Sequence, residues 1–166
     1  MPVICIHGGS DDGPPASNLF LKTSVMLKTV SPVLSPEILY VFARMGHGDE
    51  VVISDANFPA ASRGIECIEA PGITVSDLLH ASLPLFPLDY RFKCPAFSMS
   101  SKEDTLELSE AAWDYKKIIQ KHEGDGVGVA PLLRQDFYDR ALNAFCVIRT
   151  GDRRRFANII LRKGVV

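Results

Sequence analysis

Apolar and polar positions recur along this chain with two different periods, and each change of period marks an element. In SPEILYVFARMG, residues 35–46, the apolar Ile38, Leu39, Phe42 and Met45 fall at helical spacing. Ser35 is suited to cap that helix, Pro36 to its first turn, Glu37 to its positive end and Gly46 to its stop. VVIS, residues 51–54, is a β-branched run bounded by polar residues, the pattern of a buried strand. IECIEA predicts another strand, and TVSDLLHASLPLF predicts a helix that begins near Thr74 or Ser76 and stops near Pro84. PAFSMS reads as a strand near residue 97.

SEAAWDYKKIIQKHEG is an amphipathic helix ended by Gly124, its inner face taken by Trp113 or Ala112, Tyr115 or Lys116, and Ile119. Trp113 is expected in core or interface packing. RQDFYDRALNAF adds a helix, and CVIRTG and ANIILRKGV are two β-rich runs separated by a polar turn. About four helices and five or six strands in mixed order predict an α/β or α+β domain, with three layers favoured.

Residues 1–25 break this regularity. HGGSDDGPPASN concentrates Gly, Ser, Asp and Pro, so the segment is expected to be a flexible N-terminal extension, with the domain over residues 26–166. Its VICIHGG opening suits a short strand running into a loop, and His7 there reads as incidental.

Composition narrows the class. The 166 residues are 46% hydrophobic, enough for one domain that buries a core without metal or disulfide staples. With 18 basic against 20 acidic residues there is no nucleic-acid footprint, and the basic run Arg153–Arg155 reads as a solvated turn. The four cysteines are far apart and form no C-x-x-C pair, which points to a reduced, cytoplasmic protein. No apolar run approaches the roughly 20 residues that span a bilayer, and no export signal opens the chain, so no membrane partner is expected. G-x-G-x-x-G, P-loop and G-x-S-x-G signatures are all missing from the sequence.

Local chemistry centres on MGHGDEVVISDANFPA, residues 45–60. His47, bare between two glycines, is either an acid/base group or a histidine answering the C-terminal end of a helix. Asp49 and Glu50 read as solvated loop acids or partners of the turn. Asp55, directly after a strand, is placed either to accept two ligand hydroxyls or to cap the DANFPA turn. A metal site is not expected, because no H-x-x-x-H or comparable pair occurs and His80 and His122 fall in unrelated predicted helices as surface or packing residues. Spacing alone singles out neither Asp89 nor Tyr138.

The stretch MLKTVSPVLSPEILYVFARMGHGDEVVISDANFPA closely resembles the start of the L-fucose mutarotase and D-ribose pyranase family. The likeness continues through VSDLLHASLPLFPLD, DFYDRALNAF and TGDRRRFANIILRKGV, so it spans residues 26–166. It implies a three-layer α/β/α domain with a mixed sheet that interconverts the α and β anomers of a free monosaccharide without cofactor or metal. Residue by residue, the resemblance makes His47 the proton donor and Asp89 the second catalytic group. Asp55, Met99, Tyr138 and Asn158 become substrate-binding residues, with His47 facing Asp55. Phe156 stands where the family commonly has tyrosine, two residues before the asparagine; its ring is left to stack on a sugar face without a hydroxyl.

DANFPA and LPLFPLD look more like the fucose type, while VIRTG and FANIIL are also similar to the ribose type. The resemblance also implies a homo-oligomer whose sites are completed by neighbouring subunits, with Tyr138 and Asn158 serving the next subunit's His47. L-Fucose mutarotase is therefore the leading expectation. D-Ribose pyranase and a non-catalytic sugar-binding protein are the alternatives.

Overall fold

The computed structural model describes residues 27–166, and the expected extension, with His7 and the VICIHGG run, lies outside them. In chain order the elements are α1 (Pro36–Arg44), β1 (Glu50–Ser54), a 3-10 turn (Ala61–Arg63), β2 (Cys67–Ala70), α2 (Val75–Ser82) and β3 (Ala96–Met99). Then come α3 (Glu110–Glu123), β4 (Val129–Leu132), α4 (Arg134–Ala141), β5 (Cys146–Thr150) and β6 (Ile159–Arg162).

All six strands form one mixed sheet in the order β2-β5-β1-β6-β3-β4. Only β6 runs against its neighbours β1 and β3; the other pairings are parallel. The two closing β-rich runs, β5 and β6, are not neighbours, because β1 is inserted between them. The strand that periodicity missed is β4, VAPL. Pro131 cannot donate to a ladder, and β4 occupies the edge where that is tolerated.

Alternation along the central strands divides the apolar side chains between two faces. Val51 and Ile53 of β1 point into a core shared with α1, α2 and α3, together with Ile148, Ile159 and Leu161. Val52, Val147 and Ile160 point the other way, onto Phe58, Phe137 and Ala141. The architecture is therefore three layers, with three helices on one face and α4 plus the loop after β1 on the other. Within α3, Ala112 and Tyr115 face inward, whereas Trp113 is 50% exposed beneath Lys116. Of the two places expected for it, core or interface, the core is not observed, since it sits one residue out of phase with the buried stripe of Ala111, Ala112, Tyr115, Ile118 and Ile119.

Helix α1 is capped by Ser35, whose Oγ accepts from the Ile38 N–H at 3.3 Å. It ends at Met45 in extended backbone, one residue before the predicted glycine stop. The glycine that the turn requires is Gly48, at φ +88°.

One strand end locks the loops on this edge of the sheet. The Lys163 ammonium donates to the carbonyls of Phe42 (2.7 Å) and Met45 (2.6 Å), closing α1. Its backbone pairs with Gly48 and Asp49, while Gly164 packs against the backbone of Leu88 and donates to Pro87 O. A Cβ at Gly164 collides with the Leu88 carbonyl. Gly164→Ala is therefore expected to cost about 1–3 kcal/mol, because the blocking atoms are backbone and cannot rotate away. Urea denaturation checks it, and an unchanged midpoint contradicts it.

Candidate active site

The residues singled out from sequence gather into two groups at opposite edges of the sheet. At the carboxyl edge, β1 delivers Asp55, β3 delivers Met99, α4 delivers Tyr138, and the segment entering β6 delivers Phe156 and Asn158. These five line one cleft of about 220 Å³ with Asn57, Phe58, Arg134 and Arg155. That volume lies below the roughly 300–1,000 Å³ of enclosed ligand sites.

Asp55 is 7% exposed and fixed from both sides. Asn158 Nδ2 donates to Asp55 Oδ2 at 2.8 Å, and the Asp55 N–H donates to Asn158 Oδ1 at 3.0 Å. The Asn57 N–H donates to Asp55 Oδ1 at 2.8 Å. The turn-capping reading of Asp55 holds, and the cap does not use up the carboxylate. An ionised carboxylate accepts about four hydrogen bonds, and two are used. Tyr138 is held beside Phe58, ring centroids 5.7 Å apart, with the Arg63 guanidinium 4.2 Å from its own centroid. Phe156 adopts φ +57°, an uncommon conformation for a bulky residue, and its ring lies 5.5 Å from the Arg134 guanidinium.

At the opposite edge, His47 precedes β1 and Asp89 lies in the loop before β3. His47 Nε2 is 3.4 Å from Asp89 Oδ2, and Arg91 bridges the two. Arg91 donates to Asp89 through Nε (3.1 Å) and Nη2 (3.1 Å), and through Nη2 to His47 Nε2 at 2.7 Å. Guanidinium has no acceptor, so in the contact with Arg91 it is Nε2 that accepts. Asp89 is buried, with Arg162 Nε at 3.8 Å, while the His47 side chain is 36% exposed. The helix-end reading of His47 is excluded, since α1 closes at Met45 and His47 rides the Gly46–Asp49 turn, where Asp49 Oδ2 accepts from Gly46 N–H at 2.6 Å.

The hydrogen bonds from Arg91 hold the Asp89 carboxyl at about 2 against the ordinary 3.8, overcoming the opposing effect of burial. With the folded value depressed, Asp89 contributes stability above pH 3.8 that is lost as pH falls through about 2. Carboxyl-carbon NMR titration is expected to find that midpoint, and Arg91→Ala to move it up toward 3.8. A midpoint unmoved by the substitution contradicts the assigned cause.

His47 and Asp55 do not face each other within one chain. Strand β1 separates them, and its five residues at about 3.3 Å each span roughly 17 Å. That expectation is corrected for the single chain.

A model of the RbsD / FucU transport protein family matches residues 28–166. The chain belongs to that family. The solved fucose mutarotase of Streptococcus pneumoniae, in complex with L-fucose, is 36% identical; the match covers 84% of this chain and 99% of that one at a TM-score of 0.77. FucU from Bifidobacterium longum is 37% identical, covering 82% and 98% of the two chains at 0.73. Bacillus subtilis RbsD, complexed with D-ribose, is 23% identical at a TM-score of 0.66 over 85% and 99%, and bears on the fold alone. The three-layer domain and mixed sheet expected from sequence are those of the RbsD/FucU fold.

Further residues shape the two groups without having been singled out. Arg91 lies in no quoted motif, and Lys163, within ANIILRKGV, was not singled out there. Arg154 breaks the reading of residues 153–155 as a solvated turn: it donates to Asp152, Asp114 and Ser76. Burial pushes the Asp152 carboxyl up, but the Arg154 hydrogen bonds and charge outweigh it and the net shift is down. Asp152 in turn accepts from the Val75 N–H of α2, and its carbonyl accepts from Ala56, steadying the turn after Asp55. Glu50 is not a loop acid either; it opens β1 and pairs with Arg140 at 2.5 Å. Among the described residues no three His, Cys, Asp or Glu side chains are grouped to hold a metal ion, and no helix is long and apolar enough to cross a membrane.

Proposed function

We propose that this protein is a cofactor-independent aldose mutarotase acting on L-fucose, with each site assembled from two copies of the chain. The observation that carries the reading is the fixed Asp55–Asn158 pair, which presents free carboxylate lone pairs in a cleft walled by Met99, Tyr138 and Phe156. Such a cleft suits a sugar, whose hydroxyls donate to the carboxylate and whose C–H faces lie on apolar walls. The one acid/base histidine of the matched motif is at the far edge of the same chain. Apposition of the His47 edge of one copy to the Asp55 edge of another supplies both parts, as a closed ring when repeated head to tail or as a pair of reciprocal sites in a two-fold dimer.

Anomer exchange then needs little chemistry. A proton is delivered to the ring oxygen as the C1–ring oxygen bond breaks, and the anomeric hydroxyl loses its proton as the C1 carbonyl forms. Rotation about C1–C2 and reclosure invert the centre, with both protons returned. In this reading His47 is the proton donor. Asp89 is the second catalytic group, and the Arg91 that it holds orients the imidazole. Asp55, Asn158 and Tyr138 hold the sugar, Met99 and Phe156 contact its apolar face, and Arg134 adds a donor at the cleft wall. No cofactor is required by this sequence of steps. The scattered thiols, free at Cys67, Cys94 and Cys146, suit a cytoplasmic setting.

Saturation-transfer NMR on the C1 protons of L-fucose and D-ribose tests the proposal. Added exchange, faster for fucose, is expected; faster exchange of ribose reassigns the protein as a pyranase. A second reading, a sugar-binding protein without turnover, is favoured by the engagement of His47 Nε2 with Arg91 and by Phe156. Calorimetric sugar binding without exchange supports that one instead.

A further inference from the structure

Two histidines that the sequence assigns to separate helices meet on the surface far from either half of the proposed site. His80 lies in the last turn of α2 and His122 in the last turn of α3. Their Nδ1 and Nε2 atoms are 3.3 Å apart, with ring centroids at 5.6 Å, and both side chains are exposed. We propose that His80 Nδ1 and His122 Nε2 form a bidentate seat for a divalent transition ion of the Zn²⁺ class, which staples α2 to α3.

Three features argue for an ion rather than a hydrogen-bonded pair alone. Two metal–nitrogen bonds of about 2.0–2.1 Å at a tetrahedral angle place their nitrogens about 3.3–3.4 Å apart, so the observed separation admits an ion with little rearrangement. Both helices present their C-terminal ends here, and the partial negative charge of those ends favours a cation. Partial desolvation, then His122 and Lys121, lower the pKa of His80, keeping it in the neutral form that ligates.

The surrounding charges leave the seat open. Asp77 is occupied in the capping box with Thr74, and Glu123 accepts from the Tyr90 hydroxyl at 2.6 Å. Lys121 opposes a cation but sits beside His122 in sequence, its flexible ammonium free to turn to solvent. With two protein ligands, the remaining coordination positions fall to water. The residues belong to neither the Asp55 cleft nor the His47 edge, so the ion acts on stability rather than on sugar chemistry.

The test uses the full, tag-free chain after chelator treatment, titrated with Zn²⁺ by calorimetry, beside His80→Gln and His122→Gln. The expected result is one Zn²⁺ per chain, weakened more than tenfold in each variant and lost below about pH 6, where protons compete. At an ion concentration 100-fold above Kd, the wild-type melting point is expected to rise by about 5–10 °C. Imidazole ¹⁵N shifts of both residues move on binding, while sugar exchange is unchanged in both variants. Absence of saturable binding, or either variant binding as tightly as wild type, overturns the proposal.

Discussion

His47→Gln is expected to lower enzymatic anomer exchange by roughly 10²–10⁴-fold, the usual contribution of one positioned proton-transfer group. The substitution removes the imidazole beside Asp89 and puts in its place an amide that does not exchange protons at a useful rate near neutral pH. Folding should survive, because the side chain is 36% exposed and its turn is held by backbone contacts to Lys163 and by Asp49. The loss therefore falls on kcat, with sugar affinity nearly unchanged, since Asp55, Asn158 and Tyr138 remain. Saturation-transfer NMR over a range of fucose concentrations separates the two parameters. Wild-type exchange in the variant contradicts the role given to His47.

Asp55→Asn is expected to act in the opposite sense, on affinity. The carboxylate accepts from Asn158 Nδ2 and Asn57 N–H, and in the proposed function its remaining lone pairs take the sugar hydroxyls. An amide of the same shape keeps one acceptor oxygen but replaces the other with a donor, which then confronts Asn158 Nδ2 or a sugar hydroxyl. Hydrogen bonds to a charged group contribute about 1.5–3 kcal/mol each. Losing one or two of them predicts kcat/KM lower by about 10²-fold, most of it in KM. A variant with wild-type KM would remove Asp55 from the sugar.

The chain announces much of its fold because its strongest signals are local. Ser35, Thr74 and Ser109 cap the helices that follow them, and the β-branched VVIS run becomes a strand buried on both faces. Two kinds of feature escaped. VAPL lies at a sheet edge, where Pro131 is permitted but the apolar pattern is weak. The strand order escaped because β1 separates β5 from β6, a pairing that no local period encodes.

For the site, periodicity reached only His47 and Asp55, which lie in one quoted motif. Asp89, Met99, Tyr138, Phe156 and Asn158 were legible only through likeness to the family, and the structure gathers all but Asp89 around Asp55. Nearness in sequence misled at one point: a strand that connects two residues also holds them apart. Arg91 and Lys163 were illegible because their partners are remote in sequence, 44 residues for the Arg91–His47 contact and 118 for Lys163–Met45. Arg154 was read as part of a charge run, and its contacts with the buried Asp152, with Asp114 and with Ser76 show otherwise.

The central claim is that the His47 edge of one copy works on sugar held in the Asp55 cleft of another, and mixing inactive chains tests it most directly. His47→Gln and Asp55→Asn chains, each impaired alone, are co-refolded in equal amounts and assayed for fucose exchange. If sites are shared between copies and assembly is random, about one quarter of the contacts pair an intact His47 with an intact Asp55, restoring about one quarter of wild-type exchange. Exchange no greater than the sum of the two separate variants, in a mixture shown to contain both chains in one particle, would contradict the account.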